Sequence, residues 1–192
     1  MKKINIVCFG FGQVAKSFIK KLISENYSFK FVTTTRKNTD KKKFENIEYK
    51  CFKFDGDNYD KNIIEEINKA THILVSTPPQ AEDNIIKNFS KYLENNYSLK
   101  WFGYLSSTGV YGNHDGKWVS EGTSANPTSE TGKKRLEAEL KLKKLNIPLI
   151  IFRLSGIYSN EDNVFNRIKK NNMKIIEMEN QIFSRIHLED IA

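Results

Sequence analysis

At 192 residues, with 39% hydrophobic and 12% aromatic residues, the chain can bury one good core, so we expect one domain with at most a small appendage. It has no run of about 18 apolar residues, which excludes a membrane span and makes a cytoplasmic protein the expectation. The net charge of +8 comes mostly from lysines. A nucleic-acid partner is not expected, because it would need clustered basic residues interleaved with aromatic ones.

The first 23 residues predict a strand, a glycine turn and a helix. Ile4–Phe9 is a short, mostly apolar run, as expected of a parallel strand that is covered on both faces. A Gly-x-Gly-x-x-Ala motif follows, and then a helical stripe of apolar residues. In this context the motif is typical of a dinucleotide site, because the glycines allow a tight turn and a close approach of the pyrophosphate to the helix N-terminus. An ordinary strand–turn–helix without a ligand is the alternative. The predicted cofactor-binding residues of the turn are Gly10, Phe11, Gly12, Gln13 and Val14.

Strands and helices then alternate along the chain. The further predicted strands are residues 29–34, 48–54, 72–76, 101–106 and 147–154. The first helix is predicted to end near Asn26, and the other predicted helices lie around 63–67, 81–95, 130–144 and 164–168. Residues 37–46 and 109–129 are predicted polar loops, and residues 174–178 and 181–187 a small hairpin.

This alternation implies right-handed βαβ units and therefore an α/β fold with a Rossmann-type doubly wound parallel sheet. We assign residues 1–158 to the nucleotide-binding domain and residues 159–192 to a small, partial substrate lobe. Cys8 and Cys51 fall on the first and third strands. If these strands flank the second, the cysteines lie about 9–10 Å apart, so we expect both to be reduced and buried.

The residues after the second strand favour NADP over NAD. An NAD site carries a carboxylate here for the ribose 2′-hydroxyl, but the first acid is Asp40, deep in the predicted loop. Arg36 stands where a 2′-phosphate would bind, with Thr35 as a hydroxyl donor and Lys37 beside it. A guanidinium binds phosphate through charge-assisted, often bidentate hydrogen bonds. We therefore predict NADP as the cofactor. If Arg36 only faces solvent, NAD is the alternative.

Three further residues at strand ends are candidate contacts to the cofactor. Asp55, after the third strand, could accept a hydrogen bond from the adenine amino group or cap the following turn, and the sequence favours neither. Thr77 and Pro78 end the fourth strand beside the expected phosphates and ribose.

The segment 104–112, YLSSTGVYG, together with the glycine motif resembles the extended short-chain dehydrogenase/reductase family, the NAD(P)-dependent epimerases and dehydratases. The resemblance implies that Ser107, three residues before Val110, matches the catalytic serine, with Thr108 adjacent. Residues 151–158 resemble the family's sixth strand and the loop that borders the nicotinamide. Residues 184–192 resemble its later IHVDD element.

The chain departs from this family at the Tyr-x-x-x-Lys pair. The alignment puts Thr131 in the place of the tyrosine and Arg135 in the place of the lysine, as in the atypical short-chain dehydrogenases. A threonine hydroxyl cannot serve as a general acid or base near neutral pH, because its pKa is far too high, whereas Arg135 could still bind ribose or phosphate. Tyr111, His114 and Tyr158 are the candidate replacements for the proton donor. The candidate catalytic residues are thus Ser107, Thr108 and Tyr111.

The resemblance implies an NADP-binding oxidoreductase or epimerase that acts on a hydroxyl or carbonyl of a small substrate, with nucleotide-linked substrates as one option. The alternative is a catalytically impaired NADP(H)-binding sensor or scaffold. We also expect the chain to be a piece of a longer protein, because Asp190 is a good helix N-cap followed by only two residues. The sixth strand would then lie at or near the sheet edge, which favours self-association into a homo-oligomer.

Overall fold

A computed structural model describes residues 4–170 and 182–192. In this part of the chain, eight strands form a mixed, mostly parallel sheet in the order β3-β4-β2-β1-β6-β7-β8, and β5 pairs with β4. The strands are β1 (Ile4–Phe9), β2 (Phe29–Thr35), β3 (Asp40–Phe44), β4 (Ile47–Asp55), β5 (Asn58–Tyr59), β6 (His72–Val75), β7 (Trp101–Ser107) and β8 (Leu149–Leu154). A separate parallel pair consists of β9 (Gly156–Tyr158) and β10 (Arg185–His187).

Helices cover both faces of the sheet, which confirms the predicted α/β, doubly wound architecture. They are α1 (Gln13–Ser24), α2 (Ile63–Lys69), α3 (Pro79–Glu94), α4 (Glu130–Leu142), α5 (Val164–Lys169) and α6 (Leu188–Ile191), and a 3₁₀ turn spans Thr108–Val110. The longest of them has 16 residues, and no helix in the described ranges is long and apolar enough to cross a membrane.

Alternate residues of the strands fill two hydrophobic cores, because successive side chains of a strand point to opposite faces. Phe9 of β1 packs on one face with Phe89 of α3, whereas Cys8 packs on the other face with Ile19 of α1. Cys8 is level with Thr33 of β2, and Thr33 is level with Cys51 of β4. Both cysteines are free and buried, as predicted, and burial raises the pKa of the Cys8 thiol to about 12.

The prediction of a polar loop at residues 37–46 is wrong. This segment contains β3, which pairs antiparallel with β4 and forms the edge of the mostly parallel sheet. Phe44 fastens the strand to the core, while Lys41, Lys42 and Lys43 are exposed. Lysines on an edge strand oppose pairing with another chain, so the run of three lysines is compatible with an edge.

The end of the chain also differs from its prediction. Of the predicted hairpin, residues 174–178 and Gln181 lie outside the described residues, and Arg185–His187 of its second arm pairs in parallel with Gly156–Tyr158. Asp190 is inside α6 and does not cap it, because His187 occupies the cap position and its Nδ1 accepts a hydrogen bond from the Glu189 N–H. Among the described strands, β8 is the last of the sheet on its side, and Ile150 there is exposed.

Candidate cofactor site

The glycine turn sits where β1 ends against β2 and β6. Gly10 has a φ of +82°, in the left-handed region, and its N–H donates to Thr34 Oγ1 over 2.9 Å. A Cβ at this position would lie 3.2 Å from Ser76 Oγ and 3.3 Å from Thr77 Cγ2. Conformation and space therefore both require glycine at residue 10.

The start of α1 is open to a ligand. Gly12 is the N-cap residue, no side chain caps the helix, and a Cβ on Gly12 would meet no atom within 4 Å. The first N–H groups of a helix carry a partial positive charge and attract phosphate. Gln13 is exposed, whereas Val14 is buried, so Val14 can reach a ligand only through its backbone.

Phe11, the residue between the two glycines, anchors the turn to the sheet. Its ring lies 5.6 Å from that of Phe31, 5.1 Å from Phe44 and 5.4 Å from Tyr49, measured between centroids. Two of these partners belong to β3 and β4. The edge strand that the sequence did not predict is therefore part of the support for the glycine turn, and the contact of Phe11 with a cofactor stays a prediction.

The residues after β2 and β4 lie at the same carboxyl edge. The Lys37 N–H donates to Thr35 Oγ1 over 3.3 Å, which folds the chain back beside the exposed Arg36. Asp55 begins a tight hairpin to Asn58, and its side chain is exposed. The contacts of these residues with a cofactor stay predictions.

The surroundings of Thr77 show whether the carboxyl edge of the sheet fits a nucleotide cofactor. It is only 8% exposed, and its Oγ1 has no hydrogen-bond partner among the described residues. A buried hydroxyl without a partner is costly, so a ligand that hydrogen-bonds to it is favoured. The Thr77 side chain adjoins the turn at Gly10 through its Cγ2, so the residues present fit a phosphate- and ribose-containing group. Pro78, the next residue, is exposed at the start of α3.

Arg135 ties α4 to the carboxyl ends of β6 and β7. Its Nη1 donates to the Leu105 carbonyl over 2.8 Å and to the Tyr104 hydroxyl over 3.3 Å, and its Nη2 donates to the Thr77 carbonyl over 3.4 Å. A structural role at this residue is therefore visible. The predicted contact with ribose or phosphate stays a prediction.

The candidate catalytic turn begins at the end of β7. Ser107 is half-buried, and its Oγ accepts a hydrogen bond from the Gly109 N–H over 3.1 Å. Thr108 is half-buried in the same turn, and Thr131 is exposed in the first turn of α4. A Cβ on Gly132 would come within 2.5 Å of the Gly109 carbonyl oxygen. The structure thus brings the start of α4 directly against the turn that follows Ser107.

Known structures share this fold over nearly the whole chain. A conserved protein of unknown function from Silicibacter pomeroyi is 29% identical, with a TM-score of 0.79, and the match covers 97% of this chain and 64% of that one. The dTDP-glucose 4,6-dehydratase of Bacillus anthracis, in complex with NAD, is 14% identical with a TM-score of 0.71, covering 97% and 68%. MoeE5, in complex with UDP-glucose and NAD, is 15% identical with a TM-score of 0.72, covering 97% and 69%. The chain has the fold of the NAD-dependent epimerases and dehydratases.

The match to this epimerase/dehydratase fold confirms the resemblance drawn from the sequence. The chain spans about two thirds of the length of these three structures, 64–69%. The sequence matches no protein-family model and no curated protein. Identities of 14–15% carry the fold alone, so the site has to be argued from this chain's own residues.

Within this epimerase/dehydratase fold, the three candidate proton donors have different surroundings. Tyr111 is buried, with its ring beneath Arg153, and its carbonyl lies 3.1 Å from Nε2 of the half-buried His114. Tyr158 is exposed and packs edge-on against His187, with 5.0 Å between ring centroids. The burial of Tyr111 separates it from solvent, and its assignment as a catalytic residue stays a prediction.

Sequence reasoning missed Glu139 and Arg153. The Glu139 carboxylate is completely buried and accepts hydrogen bonds from the Ser106 hydroxyl and from Arg153, whose Nη2 is 2.7 Å away. This bonding raises the pKa of the Arg153 guanidinium above its already high ordinary value. The only signal in the sequence is that Glu139 follows Arg135 by four residues and so shares its helix face. In a helix rich in lysine and glutamate, that spacing does not distinguish a buried carboxylate from an exposed one.

Proposed function

We propose that this chain binds NADP(H) and serves as an oxidoreductase or epimerase for a hydroxyl or carbonyl of a small substrate, with sugars linked to nucleotides as the first class to test. The observation that carries the proposal is the buried Thr77 side chain, whose hydroxyl lacks a hydrogen-bond partner within the described ranges and whose Cγ2 lies beside the open glycine turn. A nucleotide that crosses this edge would meet the free N–H groups at the start of α1 and would satisfy that hydroxyl.

The nicotinamide supplies hydride chemistry when it is bound. The chain's own residues would then hold and orient the reacting groups. The backbone at Gly10 and Gly12 would hold the pyrophosphate. Ser107 Oγ accepts the Gly109 N–H, which leaves its own proton to donate to a substrate oxygen. Such a donor polarises a carbonyl without taking part in covalent chemistry.

The preference for NADP rests on Arg36. Its side chain is exposed directly after β2, beside the exposed Lys37, at the edge that holds the glycine turn. An arginine in this place offers a planar fork of donors to a 2′-phosphate, whereas NAD has no charge there for it to bind.

Replacing Arg36 with Ala tests the proposal. We expect NADPH binding to weaken by about 1.5–3 kcal/mol, the range for hydrogen bonds to charged groups, and NADH binding to change little. Fluorescence titration of both cofactors measures this. Arg167→Ala is the matched control, because it removes the same charge from an exposed arginine of α5 that pairs with Asp162. Equal losses for NADPH and NADH in the Arg36 variant would contradict the assignment.

A second candidate is an NADP(H)-binding module that does not turn over a substrate. It is supported by the exposed Thr131, which the sequence resemblance aligns with the family's tyrosine, and by Arg135, which is bound to backbone carbonyls. Oxidation of NADPH with a panel of nucleotide-linked keto-sugars separates the two functions. Consumption that depends on one substrate supports the enzyme. Tight NADPH binding with no consumption for any member supports the module.

A further inference from the structure

A buried carboxylate connects three elements beneath the candidate catalytic turn. Glu139 of α4 is completely buried, and it accepts hydrogen bonds from Ser106 of β7 and from Arg153 of β8. Arg153 binds through two nitrogens, Nε at 3.1 Å and Nη2 at 2.7 Å. A bidentate pair of this kind fixes the direction of the guanidinium plane as well as its position.

The guanidinium held by Glu139 faces Tyr111. The Arg153 Cζ lies 4.8 Å from the centroid of the Tyr111 ring, a separation at which the cation and the ring attract each other. Tyr111 is only 5% exposed and directly follows the 3₁₀ turn whose N-cap is Ser107. The orientation of Tyr111 is thereby linked, through Arg153, to a carboxylate on a different helix.

Backbone contacts hold the same turn from its other side. Gly112 has a φ of +78°, and a Cβ there would overlap the Asn126 carbonyl oxygen. A Cβ on Gly132 at the start of α4 would also come too close to backbone, 2.5 Å from the Gly109 carbonyl oxygen. The segment from Ser107 to Gly112 is therefore confined between backbone on one side and the ion pair on the other.

We propose that Glu139 and Arg153 are positioning residues, which fix Tyr111 and, through it, the hydroxyl of Ser107. The inference rests on the proposed function of Ser107 as the polarising donor. Because residue 131 is a threonine, the polar groups for a substrate come from the turn after β7. The position of this turn then depends on the Glu139–Arg153 ion pair and not on a tyrosine–lysine pair.

Two spectroscopic signals test the inference on the intact chain. The first is the ¹⁹F NMR resonance of Tyr111 in protein labelled with 3-fluorotyrosine, identified by its loss in Tyr111→Phe. The second is the hydrogen-exchange rate of the Gly109 amide, which donates to Ser107 Oγ. We expect the double variant Glu139→Met/Arg153→Met to shift the Tyr111 resonance and to speed Gly109 exchange at least tenfold. Removing both charges together avoids leaving one buried charge alone, so this variant is expected to fold.

The exposed pair Arg167 and Asp162 provides the control. It is bidentate like the buried pair, at 2.9 and 3.1 Å, but it joins Arg167 of α5 to Asp162 just before that helix, so Asp162→Met/Arg167→Met should change neither signal. Arg153→Lys keeps the positive charge but loses the planar fork of donors. It should therefore shift the Tyr111 resonance less than the Met double variant does.

If the Met double variant is folded and leaves both signals unchanged, the inference is overturned. NADPH titration is independent of these signals: a wild-type chain that shows both effects but binds no NADPH refutes the proposed function and leaves the positioning pair standing.

Discussion

The carboxyl edge of the sheet is built in two different ways. At the ends of β1 and β6, Gly12 faces open space and Thr77 Oγ1 finds no partner in the described part of the chain. At the ends of β7 and β8, the polar side chains bind one another, with Ser106 and Arg153 both on Glu139. The first half leaves a buried hydroxyl and the helix N–H groups available, whereas the buried polar groups of the second half already bind one another.

This difference shows where a ligand can add stability. A buried polar group without a hydrogen bond costs about 1–3 kcal/mol, which a bound cofactor at Thr77 would recover. The β7–β8 half gains nothing comparable, since its buried groups are satisfied before a ligand arrives. Its contribution is a fixed geometry, and fixed donors need no reorganisation when charge develops on a substrate.

The largest expected effect comes from filling space in the closed half. Gly112→Ala would force a side chain into the left-handed region and against Asn126. The first costs about 1–2 kcal/mol and the second about 1–3 kcal/mol. We therefore expect urea unfolding to show a loss of about 2–5 kcal/mol. Gly122→Ala is the control, because a Cβ there meets no atom within 4 Å, and it should cost under about 0.5 kcal/mol. A similarly small loss for Gly112→Ala would mean that the turn is not confined.

The matching change in the open half should affect binding instead of stability. Gly12→Ala places a methyl group in space that no protein atom occupies within 4 Å, at a φ of −80° that alanine accepts readily. We expect unfolding by urea to change by under about 0.5 kcal/mol. NADPH binding should weaken at least about tenfold, or ~1.4 kcal/mol, because the methyl group keeps the pyrophosphate away from the helix N-terminus. Unchanged NADPH affinity would remove the glycine turn from the site.

The open half was the easier one to predict from the sequence. The glycine turn, the strand before it and the helix after it are local signals, and the free N–H groups at the start of α1 follow from helix geometry alone. The unsatisfied hydroxyl of Thr77 does not follow, because a missing partner depends on every neighbouring element. The edge strand β3 was missed because three successive lysines hide the single Phe44 that attaches it to the core.

The closed half depends on contacts between distant residues. Ser107 could be placed by its segment, but the bonds from Ser106 and Arg153 to Glu139 span 33 and 14 residues. In sequence, Glu139 resembles the exposed Glu137 two positions earlier. Only the packing of α4 on β7 and β8 decides which of the two carboxylates is buried.

The smallest expected effect comes from a substitution at the opposite, amino edge of the sheet. Such a change should alter neither half of the carboxyl edge. His72 begins β6, with Nδ1 2.8 Å from Thr71 Oγ1, and burial, aided by the charge of Lys100, lowers the pKa of its ring. In the unfolded chain His72 has a pKa of about 6.5, so it binds a proton more readily there than in the folded chain. The contribution of neutral His72 to stability is therefore complete above that pH and is lost as the pH falls through the folded-state pKa. His72→Gln should flatten the fall in unfolding free energy between pH 8 and pH 5 and leave NADPH affinity at pH 8 unchanged. Equal pH slopes for the two proteins would refute the burial effect, and weakened NADPH binding would show that the two edges of the sheet are coupled.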